Sequence, residues 1–294
     1  MEKLPLAPDF ANLLTARKLM MGRSPLADAD FGRQRVARWI ANMSAPLTGE
    51  IHDTSPVRTF IPAIIRTPEP IFYLHGGGLV YYSTEVFSPF LAMLSQITGR
   101  IVHAFDYPKA PETPMLEIVG HLEQHLAVRL NQVDKPPCVM GDSVGGLLAL
   151  YFATQVFNGA FSSLHLLYPV LASHHRFTSF EQYGEGYLLD ASMLRWFAGH
   201  WLSWCQQLGF DPLSADFAFA RLPPVTLHTA GYDVLSDEGC AFARQAHLAG
   251  ASLTHCHHVA LPHDFCLYAG KLPSARLAVQ QIAEALLRPA DSSI

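Results

Sequence analysis

The sequence predicts an α/β fold built around a mainly parallel sheet. Short apolar and β-branched runs alternate along the chain with longer amphipathic stretches, and this alternation is typical of strand–helix–strand units. Half of the 294 residues are apolar, which is enough to bury a large core. Charged residues make up only 15% of the chain, too few for a disordered protein.

Six strands and five helices follow from the apolar pattern. The predicted strands are Ile71–Leu74, Ile101–Phe105, Pro137–Met140, His165–Val170, Val225–Thr229 and Leu253–Val259. The predicted helices are Thr84–Ile97, Met115–Leu130, Val144–Phe157, Asp237–Leu248 and Ala275–Leu287. Residues 1–45 have a polar, helical pattern, so we expect them to pack at the rim of the sheet without adding a strand.

One connection is much longer than the loops that usually join elements of a compact domain. More than fifty residues separate Val170 from Val225, and they include the aromatic-rich helical stretch "LLDASMLRWFAGHWLSW". Its aromatic residues fall on more than one face of a helix, so we expect many of them to be buried core. Open α/β sheets place pockets beyond the carboxyl ends of their strands, and we expect this segment also to cover such a pocket.

The composition indicates which partners the protein has and in which cellular compartment it acts. A net charge of −5 without a long basic run argues against nucleic acid as a partner. No stretch approaches the roughly 20 apolar residues that span a bilayer, and "MEKLPLAPDF" lacks the apolar segment of a signal peptide. Five cysteines without CxxC spacing are typical of reduced thiols. We therefore expect a cytoplasmic protein that acts on a small molecule, and the sequence leaves a homo-oligomer open.

The stretch "MGDSVGG" predicts a serine nucleophile. It follows a predicted strand, opens a predicted helix and contains the pattern G-x-S-x-G around Ser143. A sharp strand–turn–helix elbow presents a serine hydroxyl at the positive end of the helix dipole. The residues two positions before and after the serine must be small, because the turn brings the backbone of the strand close to the backbone of the helix. We therefore predict that Ser143 is the nucleophile.

A serine hydroxyl needs a base, and the base needs a third group to orient it. In hydrolases with such an elbow, the chain order is serine, acid, histidine. Asp233 in "GYDVLSDEG" follows a predicted strand and would face the same sheet edge as Ser143. Asp237 is the nearby competitor, but it begins a predicted helix, where an acidic N-cap explains it. His263 in "LPHDF" follows the last strand and is predicted to be the base.

The other histidines beyond the acid are assigned to structure. His247 falls within a predicted helix, and the "HCHH" run places His255, His257 and His258 in the last strand. Such a run suggests metal ligands, but alternation along a strand divides these side chains between two faces. The strand supplies no third ligand that converges with them, so we expect no metal site.

The stretch "HGGG" directly after the first predicted strand indicates a loop that offers backbone N–H groups. It lacks the Lys and Ser/Thr of a phosphate-binding loop, and it lacks the G-x-G-x-x-G pattern of dinucleotide-binding proteins. Acyl transfer creates an oxyanion that requires preorganised N–H donors. We predict that the N–H groups of Gly76, Gly77 and Val144 bind this oxyanion, and that His75 supports the loop.

Four motifs together identify a family resemblance. "HGGG", "GDSVGG", "GYDVLSDEG" and "HDF" resemble the hormone-sensitive-lipase-like branch of the α/β-hydrolases, and within it the small bacterial acetyl esterases. The similarity runs from about Ile71 to the C-terminus and includes "DYPKAPE". It implies an α/β-hydrolase fold with a mainly parallel, eight-stranded sheet flanked by helices. It also implies a single domain over residues 1–294, with a helical cap formed by residues 1–45 and the insertion 172–220.

The resemblance also implies an activity. It supports Ser143, Asp233 and His263 as a triad that hydrolyses carboxylic esters through an acyl-enzyme intermediate, without a cofactor or metal. Val144 stands where a smaller alanine is usual, and this bulk, with the aromatic insertion, favours small esters with short acyl chains such as acetyl. A small amidase or arylformamidase with the same triad is one alternative. The other is a hydrolase-like fold that only binds a small ligand.

Overall fold

In the described residues, eight strands form one sheet, and the six from the third to the eighth run parallel to one another. The computed structural model describes residues 4–21, 28–43, 47, 49–171 and 177–288. The strands are β1 (Glu50–Thr54), β2 (Val57–Ile61), β3 (Ile71–Leu74), β4 (Val102–Phe105), β5 (Cys138–Asp142), β6 (Ser163–Leu167), β7 (Val225–Tyr232) and β8 (Leu253–Pro262). Their order across the sheet is β1-β2-β4-β3-β5-β6-β7-β8. The eight-stranded, mainly parallel sheet of the α/β-hydrolase fold is therefore confirmed.

Ten α-helices are found in the described residues, and most of them connect these strands. They are α1 (Pro8–Met21), α2 (Ala29–Met43), α3 (Thr84–Thr98), α4 (Met115–Leu130), α5 (Val144–Tyr151), α6 (Thr178–Gln182), α7 (Ala191–Ala198), α8 (Leu202–Leu208), α9 (Ser236–Leu248) and α10 (Pro273–Leu287).

The central strand β3 shows why apolar runs in the sequence predict the strands of this sheet. All four side chains of β3 are fully buried. Phe72 and Leu74 belong to the apolar core on one face of the sheet, while Ile71 and Tyr73 belong to the core on the other face. A parallel strand covered on both faces reads as a continuous apolar run. All six predicted strands are present, with ends shifted by up to three residues.

The hairpin β1–β2 was not found by the apolar pattern. β1 is the edge strand, pairs antiparallel with β2 and is mostly exposed. β2 buries only Val57 and Phe60. An exposed edge strand needs few apolar residues, so the segment "EIHDTSPVRTFI" resembles a polar loop.

Two helical predictions need correction. The predicted helix Val144–Phe157 is α-helical only to Tyr151 and continues as a π-helical turn over Phe152–Val156. The aromatic stretch predicted as one helix is two, α7 and α8. The break lies at Gly199–Trp201, where the N–H groups of His200 and Trp201 bond to carbonyls three residues back. Glycine's low helix propensity accounts for the position of the break.

The N-terminal helices pack on Tyr268, which follows β8. Phe10 in α1 is fully buried and contacts the ring of Tyr268 edge-on, with ring centroids 5.7 Å apart. Trp39 in α2 donates its indole N–H to the Tyr268 hydroxyl at 3.1 Å. Residues 1–3, 22–27 and 44–45 of the predicted cap, and 172–176 of the insertion, lie outside the described residues.

Within the described residues, no helix is long and apolar enough to cross a bilayer.

Packing of α1 on the domain generates a stability prediction. Phe10→Ala should lower the free energy of unfolding by about 3–5 kcal/mol, because it leaves a cavity against Tyr268. Urea denaturation measures the change. Leu19→Ala is the matched control, since Leu19 lies in the same helix but is 83% exposed. Equal, small effects of both substitutions would show that α1 contributes little to the core.

Candidate active site

Ser143 lies on a strained turn between β5 and α5. Its backbone has φ +51° and ψ −122°, a region that non-glycine residues rarely adopt. The glycines on either side are required by space: a Cβ at Gly145 would lie 2.1 Å from the carbonyl oxygen of Leu74. A Cβ at Gly141 would lie 2.2 Å from the carbonyl oxygen of Gly145. The close contact of α5 with β3 and β5 therefore explains both glycines of the motif.

The structure brings Ser143, Asp233 and His263 into one chain of hydrogen bonds. His263 Nε2 lies 3.1 Å from Ser143 Oγ, and His263 Nδ1 lies 2.7 Å from Asp233 Oδ2. Asp233 Oδ1 accepts a hydrogen bond from the Leu235 N–H at 3.0 Å. All three side chains are buried. With the Nδ1–H donated to Asp233, the lone pair of Nε2 faces the serine hydroxyl, as a general base requires.

Asp237, the competing acid, has a different partner. Its Oδ2 accepts a hydrogen bond from the Ser179 N–H at 2.8 Å. Asp237 lies in the first turn of α9, and Leu235 occupies the N-cap position. The interpretation of Asp237 as an N-cap is therefore wrong, because its carboxylate joins α9 to α6.

A second carboxylate lies next to His263 Nε2, the ring nitrogen that faces Ser143. Asp264 has a positive φ of 57°, and its Oδ1 lies 3.5 Å from His263 Nε2, while its Oδ2 accepts a hydrogen bond from the Tyr82 hydroxyl at 2.8 Å. Burial opposes charge on His263, but the charges of Asp233 and Asp264 outweigh burial and raise the pKa of His263 to about 9. Burial raises the pKa of Asp264, and the His263 cation partly counters that rise.

Asp142, directly before the serine, is a third buried carboxyl group. Its Oδ1 accepts hydrogen bonds from the Tyr73 hydroxyl at 2.5 Å and from the Gly76 N–H at 2.7 Å. Its Oδ2 has no hydrogen-bond partner among the described residues. Burial, and then the charge of Asp264, raise the pKa of Asp142 to about 7. Asp142 thus fixes the glycine loop against β5, a role that sequence reasoning missed.

The hydrogen bond between Asp142 and Gly76 contradicts one of the three predicted oxyanion donors. The N–H of Gly76 was predicted to bind the oxyanion, but it is used by Asp142. Gly77 and Gly78 line a pocket together with Ser143 and His263. Among the described residues, no acceptor takes a hydrogen bond from the N–H of either glycine. The prediction assigned the first two glycines of the run as donors. It was wrong because the Gly76 N–H is bonded to Asp142, and a contact between residues so far apart in sequence could not be seen in the motif.

His75 supports the glycine loop and does not contact Ser143. Its ring stacks on Tyr107 at 4.3 Å, and its Nδ1–H donates to the Gly76 carbonyl at 2.8 Å. Its Nε2 lies 3.1 Å from Asp106 Oδ1 and 3.1 Å from Lys109 Nζ. Burial and the charge of Lys109 lower the pKa of His75 and so favour the neutral form of its ring. The "DYPKAPE" segment is therefore the loop's support.

The insertion between β6 and β7 packs directly on the glycine loop. Gly78 has φ +63°, and a Cβ there would lie 2.2 Å from the ring of Phe197 in α7. Tyr81, which follows the loop, contacts Phe197 edge-on with ring centroids 5.0 Å apart. This contact requires glycine at position 78 and so explains the third glycine of the run.

The pocket above Ser143 is mainly apolar and aromatic. α2 contributes Val36, Trp39 and Ile40, and the insertion contributes residues between 188 and 201. Arg17 of α1 also lines it, and this guanidinium donates hydrogen bonds to the carbonyls of Tyr187 and Leu188 at 2.9 and 3.3 Å. The N-terminal helices and the insertion are thus joined across the pocket.

The histidines of the "HCHH" run lie apart from this pocket. His258 contacts His228 Nδ1 at 3.1 Å on one face of β8. His255 and His257 lie on the other face, where the Cys240 thiol of α9 converges with them. The prediction that no third ligand converges is therefore wrong, because the third donor comes from a different element.

The sequence and the fold of this chain are both similar to those of known proteins. Residues 71–267, well over half of the chain, match a protein family whose members have the α/β-hydrolase fold. The chain belongs to the α/β-hydrolase family. The resemblance to the hormone-sensitive-lipase-like branch is confirmed by this match and by the relatives found.

Relatives of this α/β-hydrolase include curated and solved proteins. An ethyl acetate hydrolase of Pseudomonas putida is 30% identical over 269 residues, covering 82% of this chain and 80% of the relative. A hyperthermophilic esterase of the archaeon Pyrobaculum calidifontis has a TM-score of 0.84 at 25% identity, covering 97% and 98% of the two chains. A thermostable esterase of Pseudomonas putida has a TM-score of 0.84 at 24% identity, covering 98% and 100%, and shows the shared fold.

The carboxylates around His263 generate a titration prediction. We expect His263 to titrate near pH 9, and Asp264→Asn should move this titration to lower pH because one negative charge is removed. Histidine NMR measures the midpoint, with His263→Gln identifying the resonance. Asp134→Asn is the control, since it removes an equal charge at an exposed position. An unchanged His263 midpoint in Asp264→Asn would contradict the electrostatic account.

Proposed function

We propose that this α/β-hydrolase is a serine carboxylesterase that hydrolyses small esters through an acyl-enzyme intermediate. The observation that carries the proposal is the hydrogen-bond chain from Asp233 through His263 to Ser143 at an apolar pocket. Relatives named ethyl acetate hydrolase and carboxylesterase support an ester rather than an amide as the substrate.

In the acylation step, Ser143 Oγ attacks the ester carbonyl carbon. His263 Nε2 accepts the hydroxyl proton as the Oγ–C bond forms, and Asp233 stabilises the resulting imidazolium. The C–O bond to the alcohol then breaks, and the imidazolium returns its proton to the departing alkoxide. The products of this step are the free alcohol and an ester of Ser143 with the acyl group.

The oxyanion is bound by backbone donors in this proposal. We assign the N–H groups of Gly77 and Gly78, which line the pocket, and the N–H of Val144 at the start of α5. The first N–H groups of a helix have no partner within the helix, so Val144 is suited to this role. One such donor contributes about 2.7–4 kcal/mol to transition-state stabilisation in serine hydrolases.

In the deacylation step, a water molecule replaces the alcohol. His263 accepts a proton from this water as it attacks the acyl carbon, and then returns the proton to Ser143 Oγ as the acyl bond breaks. Neutral His263 is needed at the start of both steps. Since its pKa is raised to about 9, turnover should increase with pH up to that region.

The pocket walls are the basis for assigning short acyl chains. Phe197 and Trp201 of the insertion are almost fully buried and lie at the pocket that contains Ser143. Val144, next to the serine, is also fully buried. Phe197 and Trp201 narrow the pocket, and the bulk of Val144 stands directly beside Ser143 in the chain. We therefore assign small acyl groups, such as acetyl, to this site.

The cap is the remaining structural part of the proposal. We propose that α1, α2 and the insertion form a helical cap on a single domain, as the family resemblance implies. The hydrogen bonds of Arg17 to Tyr187 and Leu188, which join α1 to the insertion, support this assignment. The shared lining of the pocket supports it too.

Hydrolysis of a p-nitrophenyl ester series from acetate to laurate tests the proposal. We expect kcat/KM to be highest for the shortest chains, and Ser143→Ala to lower it by about 10^4-fold or more. Ser162→Ala is the control, because Ser162 is exposed and lies outside the pocket.

Two results would contradict the proposal in different ways. Full activity of a folded Ser143→Ala protein would show that Ser143 is not the nucleophile. Rates that rise toward laurate would contradict only the assignment of short acyl chains. If amides with the same acyl groups react faster than the esters, the protein is an amidase instead.

A further inference from the structure

A cluster of three metal-ligating side chains lies outside the proposed active site. Cys240, His255 and His257 each present one ligand atom, and these atoms all lie within 4.8 Å of one another. None of the three lines the pocket above Ser143. A role in ester hydrolysis therefore does not explain why they converge.

The two histidines are brought together by the pleat of β8. His255 pairs with Leu227, and His257 pairs with Thr229 of the neighbouring strand. Two residues separated by one position point to the same face of a strand. Their rings are 6.0 Å apart, centroid to centroid, on the face that α9 partly covers.

The cysteine reaches this face because α9 packs closely on β7. Gly239, next to Cys240, lies against Thr229, where a Cβ on the glycine would be 2.5 Å from the Thr229 methyl group. The missing side chain lets the helix approach the strand. The half-buried Cys240 thiol is thereby placed beside the two imidazoles.

The Thr229 hydroxyl contacts both histidine rings of the cluster. Thr229 Oγ1 lies 2.8 Å from His255 Nε2 and 2.7 Å from His257 Nδ1. The Cys240 thiol lies within 4.8 Å of one nitrogen of each ring. One short, buried side chain thus orients both imidazole rings beside the Cys240 thiol.

We propose that Cys240, His255 and His257 form a binding site for a divalent transition-metal ion of the zinc type. One thiolate and two imidazoles are ligands that Zn²⁺ prefers, and three protein ligands leave a fourth position open to water. Zn–N and Zn–S distances of about 2.0–2.3 Å require the donors to move closer together. The half-buried and exposed side chains on this surface have the freedom to do so.

Such an ion would connect two elements that carry proposed catalytic residues. α9 begins three residues after Asp233, and β8 ends directly before His263. A cation held by Cys240 on α9 and by two histidines on β8 would cross-link these elements. Because a cation bound only by the folded state stabilises that state, zinc should raise the melting temperature.

Metal titration of the reduced, EDTA-treated protein tests the site. We expect one equivalent of Zn²⁺ to bind, and Co²⁺ to give a thiolate-to-metal charge-transfer band. Cys240→Ser should abolish that band and weaken Zn²⁺ binding by at least about tenfold, and His255→Gln should weaken it similarly. Cys256→Ser and His52→Gln are the matched controls and should leave binding unchanged. Zinc should raise the melting temperature of the wild type but not of Cys240→Ser.

A second measurement keeps the test independent of folding defects in the variants. Cys240 and Cys256 are both half-buried, so iodoacetamide should modify both in the metal-free wild type. Zinc should protect Cys240 and leave Cys256 reactive, as measured by peptide mass spectrometry. Absence of zinc binding up to roughly 1 mM, or equal protection of both cysteines, would overturn the proposal.

Discussion

The close contact of α5 with the central strands is the constraint on which the site depends. The backbone at Gly145 lies so near the carbonyl of Leu74 that any side chain would collide, and this contact holds Ser143 in its strained turn. The turn directs the serine hydroxyl out of the sheet toward His263, which follows β8 at the same edge. Because the strain is held by packing on both sides, Ser143 needs no flexible loop to reach His263.

The buried charges around His263 are the second feature on which the site depends. Asp142, Asp233 and Asp264 surround His263, and only His263 can carry a positive charge among them. Burial raises the pKa of Asp142 and Asp264, while the carboxylates raise that of His263. Each group therefore depends on the others for its protonation state, and a single substitution here changes the whole set. The arrangement favours the imidazolium that acyl transfer would create.

Sequence reasoning was most successful where the signal is local. Buried parallel strands such as β3 appear as apolar runs, and the motif around Ser143 carries its own turn chemistry. It failed where the deciding contact comes from elsewhere in the chain. The Gly76 N–H is occupied by Asp142, 66 residues away, and Cys240 joins His255 and His257 from another element. The edge hairpin β1–β2 was missed because exposed strands carry little apolar signal.

The central claim is that His263, oriented by Asp233, activates Ser143. The rate of covalent labelling by a p-nitrophenyl phosphonate, mapped by peptide mass spectrometry, tests it most directly. The account predicts one label on Ser143 in the wild type, slowed by about 10^3–10^4-fold in Asp233→Asn and little changed in Asp237→Asn. Labelling of another residue, or equal rates in the two aspartate variants, would contradict the account.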